Sequence, residues 1–206
     1  MSLPVSSKTP VRFTPSSAAD QDPAPVYLIR PPGLRDKIEW RREVAVMGAR
    51  WHTDETMLAA LRAGVSAVIA EDQHAQCFEV LDRVEAARER GEGVDEETIE
   101  LATRIEREVR RHYPRYCDME AERAHWLEVA PFVAAQMFLI GWENGPGKFK
   151  GYRGGASESA LAAIPEAHVN MIGNRAISLM SPSAAERKNS DAPSVSSSSL
   201  EVSTAD

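Results

Sequence analysis

The sequence predicts a mainly α fold: a multi-helix globular body with a small N-terminal β hairpin or ribbon and disordered termini. Three observations predict it. Apolar residues recur at helical spacing from Leu34 to Met180, strand-type alternation is confined to two short runs before residue 31, and both ends are rich in proline or serine and poor in bulky apolar residues. Three segments follow. Residues 1–25 form a mostly disordered Pro-rich arm with a short strand near 11–14, and 26–180 a helical domain with a sub-boundary near 91–95 and a flexible loop at 144–155. Residues 181–206 form a disordered Ser-rich tail.

Taken in order, Pro4, Pro10, Pro15, Pro23 and Pro25 cannot propagate a helix. Val11-Arg12-Phe13-Thr14 and Val26-Tyr27-Leu28-Ile29-Arg30 alternate in polarity and are expected to pair, and Pro31-Pro32-Gly33 ends the second run. From Leu34 the period becomes helical, with Leu34, Ile38 and Val44 on one stripe and Gly48 as the stop. Thr53 is placed to cap the next helix, and Asp54 and Glu55 suit its positive end. Leu58, Leu61, Val65 and Val68 give that helix its apolar face; Gly64 within it costs about 1 kcal/mol relative to Ala.

A helix over 70–90 carries Cys77, Phe78, Leu81 and Val84, and Gly91-Glu92-Gly93 breaks it. Asp95 can cap a helix whose face is Ile99, Ala102, Ile105 and Val109, ended by Tyr113-Pro114. The next begins near Cys117 and passes Trp126 and Val129; Pro131 is expected to kink or divide it before an apolar helical continuation over 132–142. The glycines of 144–155 read as loop. A short helix is expected over 158–164, then a last one beginning at Pro165 with Val169, Ile172, Ala176 and Met180 on one face.

The net charge of −7 opposes a general positive field for nucleic acid or anionic lipid. Cys77 and Cys117 are isolated and show no disulfide or zinc spacing, which fits a reducing compartment and a cytoplasmic protein. The apolar run 129–140 is shorter than the roughly 20 residues a membrane span needs. Gly145-Pro146-Gly147-Lys148 lacks the strand–loop–helix setting and the Lys-Ser/Thr pair of a phosphate loop. His52, His74, His112, His125 and His168 show no metal-ligand spacing, so no metal, cofactor or catalytic residue is assigned and the chain is expected not to be an enzyme. Arg104, Arg107, Arg110, Arg111 and Arg115 with Tyr113 and Tyr116 could contact nucleic acid, but Glu106 and Glu108 interrupt the positive face. Trp40, Trp51, Trp126 and Trp142 read as core or interface anchors.

In the second half, Phe138-Leu139-Ile140-Gly141-Trp142-Glu143-Asn144 is followed by Arg153-Gly154-Gly155. Leu161 through Pro165, Glu166, His168, Ile172 and Gly173 come next, then Leu179-Met180-Ser181-Pro182 and Glu186-Arg187-Lys188-Asn189-Ser190. With Tyr27-Leu28-Ile29-Arg30, Leu34-Arg35-Asp36 and Gly48-Ala49-Arg50, these residues resemble the tail assembly chaperones encoded among the tail genes of siphophages and prophages, over about residues 11–190. The resemblance implies a non-enzymatic protein of the bacterial host cytoplasm that coats the tape measure protein, keeps it soluble and leaves as tail-tube subunits polymerise. The tail-tube protein is a second partner it implies.

Read from the residues, amphipathic helices with surplus apolar side chains could accept a partner helix or form a homo-oligomer. The expected contacts are Phe132, Met137, Phe138 and Trp142, with Met171 and Met180 as adaptable surface. Alternatives from other classes are a virion tail structural or connector component and a nucleic-acid-binding regulator using the Arg-rich helix at 104–116.

Overall fold

The structure, a computed structural model, describes residues 9–180. The expectations for residues 1–8 and for the Ser-rich tail at 181–206 lie outside the described residues.

The two alternating runs pair as expected: β1 (Val11–Phe13) lies antiparallel to β2 (Val26–Ile29). They are not a free ribbon, because β3 (Leu139–Glu143) pairs antiparallel with the other edge of β2 and gives the order β1-β2-β3. This corrects the helix expected over 132–142, which ends at Phe138. Alternation explains the switch: Leu139 and Gly141 turn to the buried side while Ile140 and Trp142 remain half-buried. The Arg30 N–H also donates to the Phe138 carbonyl at 2.8 Å, tying the helix end to the strand. Between β1 and β2 the Pro-rich arm follows a defined path, with a short 3-10 turn at Ser16–Ala18 and with Pro15 and Ala18 buried. Disorder expected through residue 25 is thus corrected from residue 9 onward: proline rings and an alanine pack without needing ladder hydrogen bonds.

Helix α1 (Leu34–Val46) opens where the Asp36 carboxylate accepts from the Gly33 N–H at 2.8 Å and from Arg30. Its buried face is Trp40 and Val44; Leu34 and Ile38, expected on the core stripe, are 80% and 62% exposed. The indole decides the rotation, since Trp40 Nε1 donates to the Ala130 carbonyl at 3.1 Å inside the core. Helix α2 (Asp54–Val68) is capped by Thr53, whose Oγ1 accepts from the Thr56 N–H at 3.2 Å. After a 3-10 turn at Glu71–Gln73, α3 (His74–Arg90) ends at Gly91, whose φ of +67° suits glycine. Helix α4 (Glu96–His112) is capped by Asp95, which accepts from the Thr98 N–H at 2.9 Å.

Helix α5 (Pro114–Phe138) starts with proline at its first position, so Tyr113-Pro114 both ends α4 and begins α5. It runs unbroken through Pro131 for about 37 Å. Past β3, the segment expected to be loop holds a two-residue hairpin, β4 (Gly151–Tyr152) with β5 (Gly155–Ala156). Short α6 (Glu158–Leu161) and then α7 (Glu166–Leu179) complete the described fold.

Two cores share α5. Around its first half Met57, Leu61, Val65, Val80, Leu81, Ile105, Val109, Tyr116 and Met119 join it to α2, α3 and α4. Around its second half Trp40, Val44, Val129, Val133, Phe138, Leu161 and Ile172 join it to α1, α6, α7 and the sheet. The sub-boundary expected near 91–95 is therefore a turn between two helices of one core, and the change of core falls in 48–53 and part-way along α5.

Candidate functional site

Along the outer side of α5, α6 and the start of α7 runs an open groove of about 760 Å³. Its apolar lining comes from Met47, Leu127, Val129, Phe132, Leu161, Ile164 and Val169, with Glu128, Glu158 and Glu166 on its edge. Local rules explain the shape. Ser157 caps α6 by accepting from the Ala160 N–H at 3.2 Å, and Pro165 stops that short segment and starts α7. Helix α7 then crosses α5 closely, because Gly173 lies directly over the Pro131 backbone. The helices are drawn together at this crossing, and α6, which packs into the same core through Ala160 and Leu161, forms another wall of the groove. Leu127 is 56% exposed and Met47 is 47% exposed, so both are open to solvent within the groove.

The six residues expected to bind a partner are not gathered on one surface. Phe132 lines this groove, while Met137 borders a different depression beside Arg30 and Asp36. Phe138 is fully buried in the core, so its expected role as a contact residue is corrected. Trp142 packs edge-on against Phe149 at 5.0 Å and donates from Nε1 to the Gly147 carbonyl at 2.8 Å, closing the glycine-rich loop. Met171 sits near Ser17 of the N-terminal arm. Met180 lines a separate groove with Trp40, Trp51 and Trp126. Leu127, Met47 and the three glutamates were not expected from the sequence as partner contacts. The available signal was Leu127, an apolar residue one position off the Trp126, Val129, Ala130 and Val133 face.

The other candidate chemistries are placed as follows. Arg110 pairs with Glu106 and Glu120, and Arg111 lies 3.8 Å from Glu108. Tyr116 is buried and donates to Glu106 at 3.0 Å; desolvation, reinforced by that carboxylate, pushes its hydroxyl pKa well above the usual value. Its ring is therefore not presented for base stacking. His168 is buried with Nδ1 3.0 Å from the Tyr27 hydroxyl, which ties α7 to β2. Among the described residues no group of three or more His, Cys, Asp or Glu converges in a metal-binding arrangement. Among them, too, no helix is long and apolar enough to cross a membrane.

Comparison with protein-family models, with curated proteins and with solved structures finds no match.

Proposed function

We propose that this protein is a non-enzymatic tail assembly chaperone, which holds an apolar helical segment of a tape measure protein in the groove between α5, α6 and α7 and keeps it soluble. The observation that supports the reading is the groove itself: an open apolar floor built from Leu127, Val129, Phe132, Leu161, Ile164 and Val169. A partner helix laid along such a floor buries side chains spaced three and four apart. Met47 at one edge adds an adaptable side chain that can follow different partner surfaces. Glu128, Glu158 and Glu166 favour partner segments with lysine or arginine beside the apolar stripe and oppose acidic ones. Chaperoning needs this kind of contact, apolar enough to shield a sticky helix and small enough to release it.

Co-expression with a tape measure protein tests the reading. A soluble, multi-copy complex is expected by size-exclusion chromatography with light scattering. The exposed substitutions Leu127→Glu and Met47→Glu should lower the soluble fraction of the partner while leaving this protein folded. A tape measure protein that stays equally insoluble with and without this chain overturns it.

A further inference from the structure

A second surface has the opposite electrical character. Trp40, Trp51 and Trp126 meet where α1, the 48–53 segment and α5 come together: the Trp51 and Trp126 ring centroids lie 4.7 Å apart, those of Trp40 and Trp126 6.3 Å. They line a groove of about 560 Å³. Trp40 is core, but Trp51 is 42% exposed, held in place by the Arg123 guanidinium 4.6 Å from its ring centre. The segment is locked from the other side by His52, whose Nε2 lies 2.6 Å from a Glu122 oxygen; that hydrogen bond, with Arg50 nearby, keeps the Glu122 pKa below the usual range. An indole platform fixed by its neighbours while still open to solvent is the kind of feature that anchors an interface.

Helix α1 sorts its charges around this groove. Lys37 and Arg41 line it, whereas Asp36, Glu39 and Glu43 border the depression on the other flank of the helix. Among the described residues, no carboxylate lies within 4.0 Å of Lys37, Arg41 or Arg42. Exposed Leu34 and Ile38 lie on the same side of α1 as Arg41 and Ala45, and those two residues join them to the groove. The result is an exposed apolar pair, Leu34 and Ile38, leading past Arg41 into a groove edged by Lys37 and Arg41 and floored by tryptophan, on a chain of net charge −7.

We infer that this groove is a second docking site, for an amphipathic protein helix with acidic side chains flanking its apolar stripe. Charge complementarity selects that occupant, since partner carboxylates can reach Lys37, Arg41 and Arg42 while its apolar residues cover Leu34, Ile38 and Trp51. Nucleic acid fits less well. The three indoles pack at steep angles to one another (76° and 51°) with no pair of parallel faces to hold a base, and the Glu122 carboxylate sits within the lining. The chain thus carries one acid-rimmed and one base-rimmed apolar groove, which would let it hold two chemically distinct partners at once.

The test uses the full chain carrying Trp142→Phe, so that tryptophan emission comes from the groove. The probes are synthetic helical peptides free of tryptophan and tyrosine, one with glutamates and one with lysines around the same leucine stripe. The glutamate peptide is expected to shift the emission and bind. Arg41→Glu with Arg42→Glu, both exposed, should weaken it at least about tenfold, as should raising ionic strength from about 0.05 M to about 0.5 M. Trp51→Ala should weaken it too, with the charge-reversal pair as the readout that does not depend on how well that variant folds. Any of these binding results overturns the inference: no binding of the glutamate peptide; binding unmoved by the charge reversals; a lysine peptide bound equally well at this groove; or a single-stranded oligonucleotide bound more tightly through the same residues. Sedimentation showing that a second copy of the chain already fills the groove, and is released by the charge reversals, would also overturn it.

Discussion

Replacing Gly173 by alanine sets two physical effects against each other at the crossing of α5 and α7. On propensity alone the change should stabilise α7 by about 1 kcal/mol, since glycine is a poor residue for a helix interior. The crossing forbids it. A Cβ on Gly173 would stand 1.9 Å from the Pro131 carbonyl oxygen, 2.5 Å from its carbon and 2.6 Å from its Cα. All three are backbone atoms of a continuous helix, so no side chain can swing aside. Restoring ordinary contact requires the helices to part by roughly 1.5 Å, loosening Val133, Ala134, Ile172 and Ala176, which fill the seam. Overpacking typically costs about 1–3 kcal/mol, and a backbone-on-backbone clash belongs at the upper end. The net expectation is a loss of about 2 kcal/mol. For a protein of this size that lowers Tm by about 4–8 °C. Thermal and urea unfolding followed by circular dichroism read it directly. A Gly173→Ala protein as stable as the parent, or more so, would refute the close crossing and with it the origin of the groove.

Three further outcomes follow from the same geometry. Gly64→Ala should also destabilise by about 1–3 kcal/mol, because its Cβ would lie 2.3 Å from Val109 Cγ1; here the obstacle is a side chain, so combining it with Val109→Ala should give a strongly non-additive double-mutant cycle in chemical denaturation. Asp95→Ala should cost about 1–2 kcal/mol by the same assay, since Asp95 accepts from both the Thr98 N–H and its buried hydroxyl. Stability should change with pH at both ends. Asp36 and Glu143 are held below their usual values chiefly by hydrogen bonds from Arg30 and Arg12, and Asp54, Asp95 and Glu122 by those from Arg123, Thr98 and His52. Their contribution is present above the ordinary carboxylate range near about pH 4 and is lost as pH falls through the lowered values. Burial raises the hydroxyl groups of Tyr27 and Tyr116, so their contribution is present below about pH 10 and is lost as pH rises through the raised values. A urea midpoint flat across both limits would contradict these shifts.

Much of the fold was legible because its signals are local. Thr53 and Asp95 announce their helices through side chains that satisfy free N–H groups three residues on, Gly91 stops α3, and alternation marks β1 and β2. What escaped depends on distant partners. Leu139–Glu143 reads as the continuation of an apolar helix until β2 is there to pair with it. Leu34 and Ile38 have the spacing of a buried stripe, yet Trp40 reaches the Ala130 carbonyl and turns α1 so that they face solvent. Gly64 and Gly173 look like blemishes in helices, but each permits an approach too close for any Cβ. The groove between α5, α6 and α7 was harder still. Phe132 was singled out because it is large and apolar, whereas Leu127 and Glu158 come to line one groove only when α5 and α6 lie side by side.

The claim that the groove between α5, α6 and α7 holds an apolar partner helix is tested most directly by placing a photo-cross-linking amino acid at Leu127, in the full chain co-expressed with a tape measure protein. The same residue at exposed Arg107 of α4 serves as the comparison. A cross-link from position 127 to an apolar, base-flanked helix of the tape measure protein, with none from 107, is the predicted result. Equal labelling from both positions, or none from 127 in a soluble complex, would contradict it.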